Sequence, residues 1–219
     1  MLEILTEIEA RILGSLVEKQ LTTPEYYPLT LNALVNACNQ KNNRDPVVSY
    51  DESAVNNTIE NLRDRNLVYV FYGSTSRVPK YKHMLPSVYE LDEPATAIIS
   101  ELLLRGPQTL GELRGHCERL YSFSSLGEVQ ESLDGLMRRD DPYVVRLPVQ
   151  PGRKEARFAH LLSGEIDIEA LATAAPATRA ARSSVDVERI EKLEEEVTNL
   201  RSEVEAIKQT FEEFKKQFE

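Results

Sequence analysis

The chain has 219 residues with 26 basic and 36 acidic side chains, a formal net charge of −10. Two cysteines exclude a disulfide-built secreted module, an apolar content of 41% excludes a bulk-disordered chain, and no run of eighteen apolar residues is present to span a bilayer. The acidic balance gives no general attraction to nucleic acid, so any such binding must come from local patches. The length fits one or two domains. The first residues are acidic and periodic and lack the basic start of a signal peptide, so a cytoplasmic location is expected. The charge is uneven. Residues 1–90 hold 9 basic and 11 acidic side chains, residues 91–184 hold 11 and 14, and residues 185–219 hold 6 and 11. Half of the excess therefore sits in the last 35 residues, and the earlier segments are the place to look for basic faces.

Residues 9–20 read as helix, because Ile8, Ile12, Leu13, Leu16 and Val17 recur at helical spacing. Thr6 precedes the run and Glu9 follows three residues on, as in a capping box. Pro24-Glu25-Tyr26-Tyr27-Pro28 is a stiff aromatic connector. Thr30 starts a second short helix with Leu31, Leu34 and Val35. Residues 39–46 are turn-rich, since Asn and Asp side chains compete with helical backbone bonds. A third helix is predicted from Asp51 to Arg65, with Val55, Ile59 and Leu62 as its buried stripe. Leu67 to Tyr72 has the β-branched and aromatic content of a strand, Gly73-Ser74 turns, and Val78 to His83 returns.

The second half repeats that order. Helices are predicted from Ala97 to Leu104, Thr109 to Cys117 and Leu126 to Arg139. Strands follow from Val144 to Leu147 and Ala156 to Leu161, joined by a Pro151-Gly152 turn. Val129, Leu133 and Leu136 take the places of Val55, Ile59 and Leu62. Residues 28–34 align with 107–113, and Tyr81-Lys82-His83 aligns with Phe158-Ala159-His160. Internal repetition constrains architecture more than propensity does. Three helices followed by a two-stranded ribbon is the winged-helix variant of helix-turn-helix. The expected fold is mainly helical α+β: winged-helix domains at 1–88 and 89–164, an Ala-rich linker at 165–184 and a coiled-coil helix at 185–219.

A helix-turn-helix protein reads base edges with its third helix and grips phosphates with Lys and Arg. The predicted third helix exposes Glu52, Asn56, Asn57, Glu60, Asn61, Arg63 and Asp64. Asn56 or Asn57 suits an adenine edge, but the acids oppose phosphates. The matching helix of the second half exposes Glu128, Gln130, Glu131 and Asp134, with Arg138 and Arg139 at its end. The candidate anionic contacts therefore lie elsewhere. Lys41 and Arg44 sit in the turn-rich loop, Arg77, Lys80 and Lys82 on the first hairpin, and Arg153, Lys154 and Arg157 on the second. Double-stranded DNA is one expected partner. A protein partner docked on the acidic helices, without DNA, is the alternative.

The tail carries an unbroken heptad. Ile190, Val197, Val204, Phe211 and Phe218 occupy position a, and Leu193, Leu200, Ile207 and Phe214 position d. β-branched a with Leu-rich d favours a parallel dimer, and Glu196 and Glu203 at g complement Arg201 and Lys208 at e. A homodimer is expected through this seam, with the Phe-rich end bulky for two strands. No enzyme and no cofactor is expected. His83, His116 and His160 lack metal-ligand spacing, and His83 and His160 take equivalent strand ends suited to packing. Cys38 and Cys117 end equivalent helices as small buried side chains. Arg105-Gly106-Pro107 is an inter-helix turn, not a phosphate-cradling loop, and Asp140-Asp141 shapes a turn before Pro142.

Residues 18–34, from Glu18-Lys19-Gln20 through Pro24-Glu25-Tyr26-Tyr27-Pro28 to Leu34, closely resemble the bacterial YceH-like family, also called DUF480 or UPF0502. So do Ala37-Cys38-Asn39-Gln40-Lys41, Asn43-Arg44-Asp45-Pro46, Ser76-Arg77-Val78-Pro79-Lys80-Tyr81 and Leu104-Arg105-Gly106-Pro107-Gln108-Thr109. The resemblance covers about residues 4–165 and implies a tandem winged-helix fold. It brings no catalytic residue and no target sequence. On physical grounds the Pro24–Pro28 connector is expected to brace the loop at 39–46, presenting Lys41 and Arg44.

Overall fold

The computed structural model describes residues 4–72, 78–149, 152–164 and 166. The predicted linker, apart from Ile166, and the heptad tail lie outside the described residues, as do Gly73, Ser74, Arg77 and Pro151. Helix α1 (Glu7–Thr22) begins where the capping box places it. Thr6 Oγ1 accepts from the Glu9 amide, and a Glu9 carboxylate oxygen accepts from the Thr6 amide at 2.8 Å. A 3-10 turn (Pro24–Tyr26), strand β1 (Leu29–Thr30) and helices α2 (Leu31–Cys38) and α3 (Glu52–Asp64) follow. Strands β2 (Val68–Tyr72) and β3 (Pro79–His83) form the first hairpin. Helix α4 (Leu85–Tyr89) leads into α5 (Glu93–Arg105), α6 (Leu110–Cys117) and α7 (Leu126–Met137). Strands β4 (Val144–Arg146) and β5 (Phe158–His160) form the second hairpin. The chain is thus mainly helical with small antiparallel sheets.

The main helices start on side-chain caps. Thr30, Asp51, Asp92, Thr109 and Ser125 each accept from an amide three residues on, worth about 1 kcal/mol apiece. The aligned positions of the two halves do the same jobs. Thr30 and Thr109 cap α2 and α6. Leu29 pairs with Tyr81, and Gln108 bridges the aligned Phe158. These short pairings carry no sequence signal, because two residues are too few for a period. Helix α4 is likewise absent from the sequence reading.

Helices α1 and α5 are buried on nearly every side, from Glu9 to Glu18 and from Ala95 to Leu104. Apolarity all round is the mark of a helix enclosed by others. Each encloses the other, and the buried residues of both halves form one continuous cluster. Gly14 lets the two backbones approach. A Cβ there would lie 2.9 Å from Leu104 Cγ and 3.2 Å from Leu103 Cβ. Ser100 Oγ donates to the Gly14 carbonyl at 3.2 Å. At the far end of the chain segment, the Leu5 amide donates to Leu162 O at 2.7 Å.

Burying α1 and α5 also buries charges. Glu9 pairs with Arg65 at 3.0 Å, Glu18 with Arg44 at 2.7 Å, and Glu101 with Arg105 at 2.9 Å. Arg11 donates to the carbonyls of Cys38 and Pro46. Such pairs are costly to break, since a lone buried charge remains. Glu101 is the least compensated. Burial pushes its carboxyl up to about 7, against the opposing charge of Arg105 and with help from nearby Glu18. His83 and His160, at the equivalent strand ends, are held down at about 4 by burial, with Lys82 also lowering His83. Both ring nitrogens of His83 are buried without a partner, which fits packing.

Two consequences are measurable. Gly14→Val is expected to lower stability by roughly 2–3 kcal/mol through overpacking. Gly135→Ala in α7, where an added Cβ meets nothing within 4 Å, should gain up to about 1 kcal/mol. Thermal melts of the two variants check the contrast. The second concerns Glu101. Between its ordinary 4.5 and about 7, the folded chain holds a proton that the unfolded chain has lost. Stability therefore falls as pH rises through that window, by an amount on the order of 2–3 kcal/mol. The depressed histidines act oppositely, removing stability as pH falls from 6.5 toward 4. Comparing Glu101→Gln with the parent at each pH cancels the histidine effect. The melting advantage of the variant should be larger at pH 8 than at pH 5; an advantage independent of pH contradicts the assignment.

Candidate functional site

The first hairpin has two unlike faces. Strand alternation turns Val68 and Tyr81 into the core and Tyr69 and Phe71 outward. Tyr69 is 54% exposed and Phe71 45% exposed, unusual for aromatic side chains without a covering element. The register sets Tyr69 opposite Lys82 and Phe71 opposite Lys80. Lys82 Nζ lies 5.1 Å from the Tyr69 ring centroid, a cation–π distance. Lysines and aromatics thus alternate across one outer face, at the edge of a sheet ordered β1-β3-β2. The exposed aromatics were missed in reading the sequence, where they served only as evidence for a strand. The signal was present in the alternation Val68, Tyr69, Val70, Phe71.

The remaining predicted contacts divide. Arg153 and Lys154 are exposed before β5, and Lys41 is exposed in the loop after α2. Asn57 is exposed on α3, and Asn56 is half-buried. Arg44 is a correction. Its side chain is 0% exposed, and both terminal nitrogens donate to Glu18 while Nε and Nη2 reach Ala37 O. It holds the loop against α1 and offers nothing to a ligand. Burial raises the Glu18 carboxyl, but hydrogen bonds and charge from Arg44, with Lys19 beside it, outweigh that and hold it below the usual range. Arg157 is drawn inward too, donating to Pro107 O and pairing with Glu112 at 2.9 Å. The aromatic connector is a further correction. Tyr26 is exposed, and the Tyr27 hydroxyl accepts from the His83 amide at 2.8 Å, so the connector braces the hairpin. The loop is held instead by Arg44, by Arg11, by Asn39 bonded both ways to Tyr50, and by the Asp45 amide on Leu104 O.

The third helices present acid. On α3, Glu52, Glu60 and Asp64 are exposed, and Arg63 is tied to Glu60. On α7, Arg138 pairs with Asp134 at 3.2 Å, and Arg139 donates to Tyr89 O and Glu90 O. A depression of about 370 Å³ runs beside α7 and is lined by Glu90, Asp92, Glu128 and Glu131. A second cleft, of about 330 Å³, lies where the ends of α1, α2 and α6 meet α5, with Lys41 and Arg119 among its walls. For catalysis the described residues offer little. No group of three or more His, Cys, Asp or Glu that could hold a metal ion occurs among the described residues. Cys38 and Cys117 are buried and free, and burial pushes the Cys38 thiol up to about 11 and Cys117 higher still, away from the reactive thiolate. No helix among the described residues is long and apolar enough to cross a membrane.

Comparison with known proteins agrees with the motifs at 18–34 and 37–46. The family described as "Protein of unknown function, DUF480" matches residues 5–153. A UPF0502 protein of Geotalea uraniireducens is 52% identical over 98% of each chain. One from Geotalea daltonii is 51% identical over 98% of each, and one from Geobacter sulfurreducens is 50% identical over 99% of each. Spanning the hairpin, the buried-arginine loop and the paired central helices alike, these matches show that the chain belongs to the DUF480 (UPF0502) family.

Proposed function

We propose that the chain is a non-enzymatic tandem winged-helix protein that binds the nucleic-acid backbone with its hairpins, as a homodimer. In this reading residues 1–88 and 89–164 are the winged-helix units, 165–184 is a linker, and 185–219 pairs as a coiled coil. The element order supports the units: helix, short strand, helix, helix and hairpin, with the short strand paired to the return strand. The observation that carries the binding mode is the outer face of β2 and β3. Lys80 and Lys82 supply phosphate contacts there, and Tyr69 and Phe71 supply flat surface for sugars or unstacked bases. Arg77 belongs to the same hairpin by sequence, and Arg153 and Lys154 give the second hairpin a parallel role. The acidic α3 assigns base reading by Asn56 or Asn57 a minor part, so binding is expected to be weakly sequence-dependent.

The acidic faces of α3 and α7 favour one other reading, a protein-docking module for a cationic partner. Salt separates the two. Affinity of the full chain for labelled genomic fragments, followed by fluorescence anisotropy, should fall steeply with salt. Lys80→Ala with Lys82→Ala should flatten the log–log slope by about 2 per protomer. Retention that ignores both salt and these lysines leaves the docking module in place of the nucleic-acid reading. The dimer has its own test. Deleting residues 185–219 should halve the sedimenting mass of the full chain; an unchanged mass removes the coiled coil from the assembly.

A further inference from the structure

The cleft at the ends of α1, α2 and α6 has a charge surplus that the fold does not use. Two carboxylates stand at its floor, Glu18 and Glu101, and each already has its own partner, Arg44 at 2.7 Å and Arg105 at 2.9 Å. Lys19 also pairs with Glu18 at 3.0 Å and donates to Gln40. Lys41 and Arg119 remain. Both are exposed, both line the cleft, and neither has a hydrogen-bond or ion-pair partner among the described residues. Arg44 and Arg105, which stand outside the lining of the cleft, neutralise these two carboxylates, so the cations of the lining, Lys19, Lys41 and Arg119, are in surplus. The carbonyl ends of α1, α2 and α6 offset about half a charge each, less than these three cations carry.

The two unpaired cations come from opposite halves of the repeat. Lys41 follows α2, and Arg119 follows α6. The cleft is lined also by the polar groups of Asn42 and His116, the latter bonded through Nδ1 to Gln108 Oε1 at 2.5 Å. The volume, about 330 Å³, is at the lower end of the range for small-ligand sites. An Arg fork and a Lys point charge on the walls of one small polar space suit the oxygens of a phosphoryl group.

We propose that this cleft binds a small phosphorylated molecule, held between Lys41 of one half and Arg119 of the other. Occupation ties the α1–α2 side of the joint to α6. The proposal does not depend on nucleic-acid binding. Inorganic pyrophosphate is the probe, titrated calorimetrically into the full chain. A saturable single site with a dissociation constant below about 1 mM is expected. Lys41→Ala with Arg119→Ala should weaken it at least tenfold while leaving the ligand-free melting temperature unchanged, because both side chains are exposed and unpaired. Lys80→Ala with Lys82→Ala should leave pyrophosphate binding unaltered, so failure here is distinct from failure of the hairpin reading. A nucleoside monophosphate that competes with pyrophosphate identifies a nucleotide as the ligand class; one that does not leaves a smaller phosphate ester. No heat of binding at 10 mM pyrophosphate, or binding that the first double variant leaves intact, overturns the proposal.

Discussion

The close passage of α1 over α5 is the constraint from which the rest of the described structure follows. It needs Gly14, where any side chain meets Leu103 and Leu104. It sinks both helices so deeply that their polar positions have no water. Glu9, Arg11, Glu18 and Glu101 must then find partners inside the protein, because an unpaired buried charge costs several kcal/mol. Arg44 and Arg65 come in from outside the two helices to meet that need, and Arg105 does so from the last turn of α5. The long loop between α2 and α3 is accordingly a structural strap. It carries Arg44 to Glu18 and presents the Pro46 carbonyl to Arg11.

The same packing explains why the outward surface is so divided. With the first helix of each half consumed by the joint, α3 and α7 keep their outer faces in solvent. Those faces are acidic, and their few arginines are tied down locally. Cationic character is left to the hairpins and to the cleft beside the joint. Local arrangement thus counts for more than the net charge of −10 in deciding where an anion can approach.

Much of the fold was legible in the sequence. The capping box at Thr6, the stripes of α3 and α7, and the duplicated order all rest on local patterns, which a single chain displays. The aligned pairs Leu29–Tyr81 and Gln108–Phe158 show that repetition carried three-dimensional information beyond the predicted elements. The site was less legible, for a physical reason. A basic residue looks the same in sequence whether it serves a ligand or a buried acid. Arg44 and Arg157 were read as contacts, yet Glu18 and Glu112 claim them across 26 and 45 residues of chain. Tyr26 and Tyr27 share a motif but not a role, since only Tyr27 reaches the His83 amide. Long-range partners of this kind leave no trace in spacing.

Strand β2 ends its sheet with no neighbour on its outer side among the described residues. Its backbone amides and carbonyls are therefore a ready template for an incoming extended segment. The lysines on the adjoining strand set up mutual repulsion when two such rims face each other, and dissolved ions weaken that repulsion. That rim is for the same reason the margin along which copies of this chain would stack if their charges were masked.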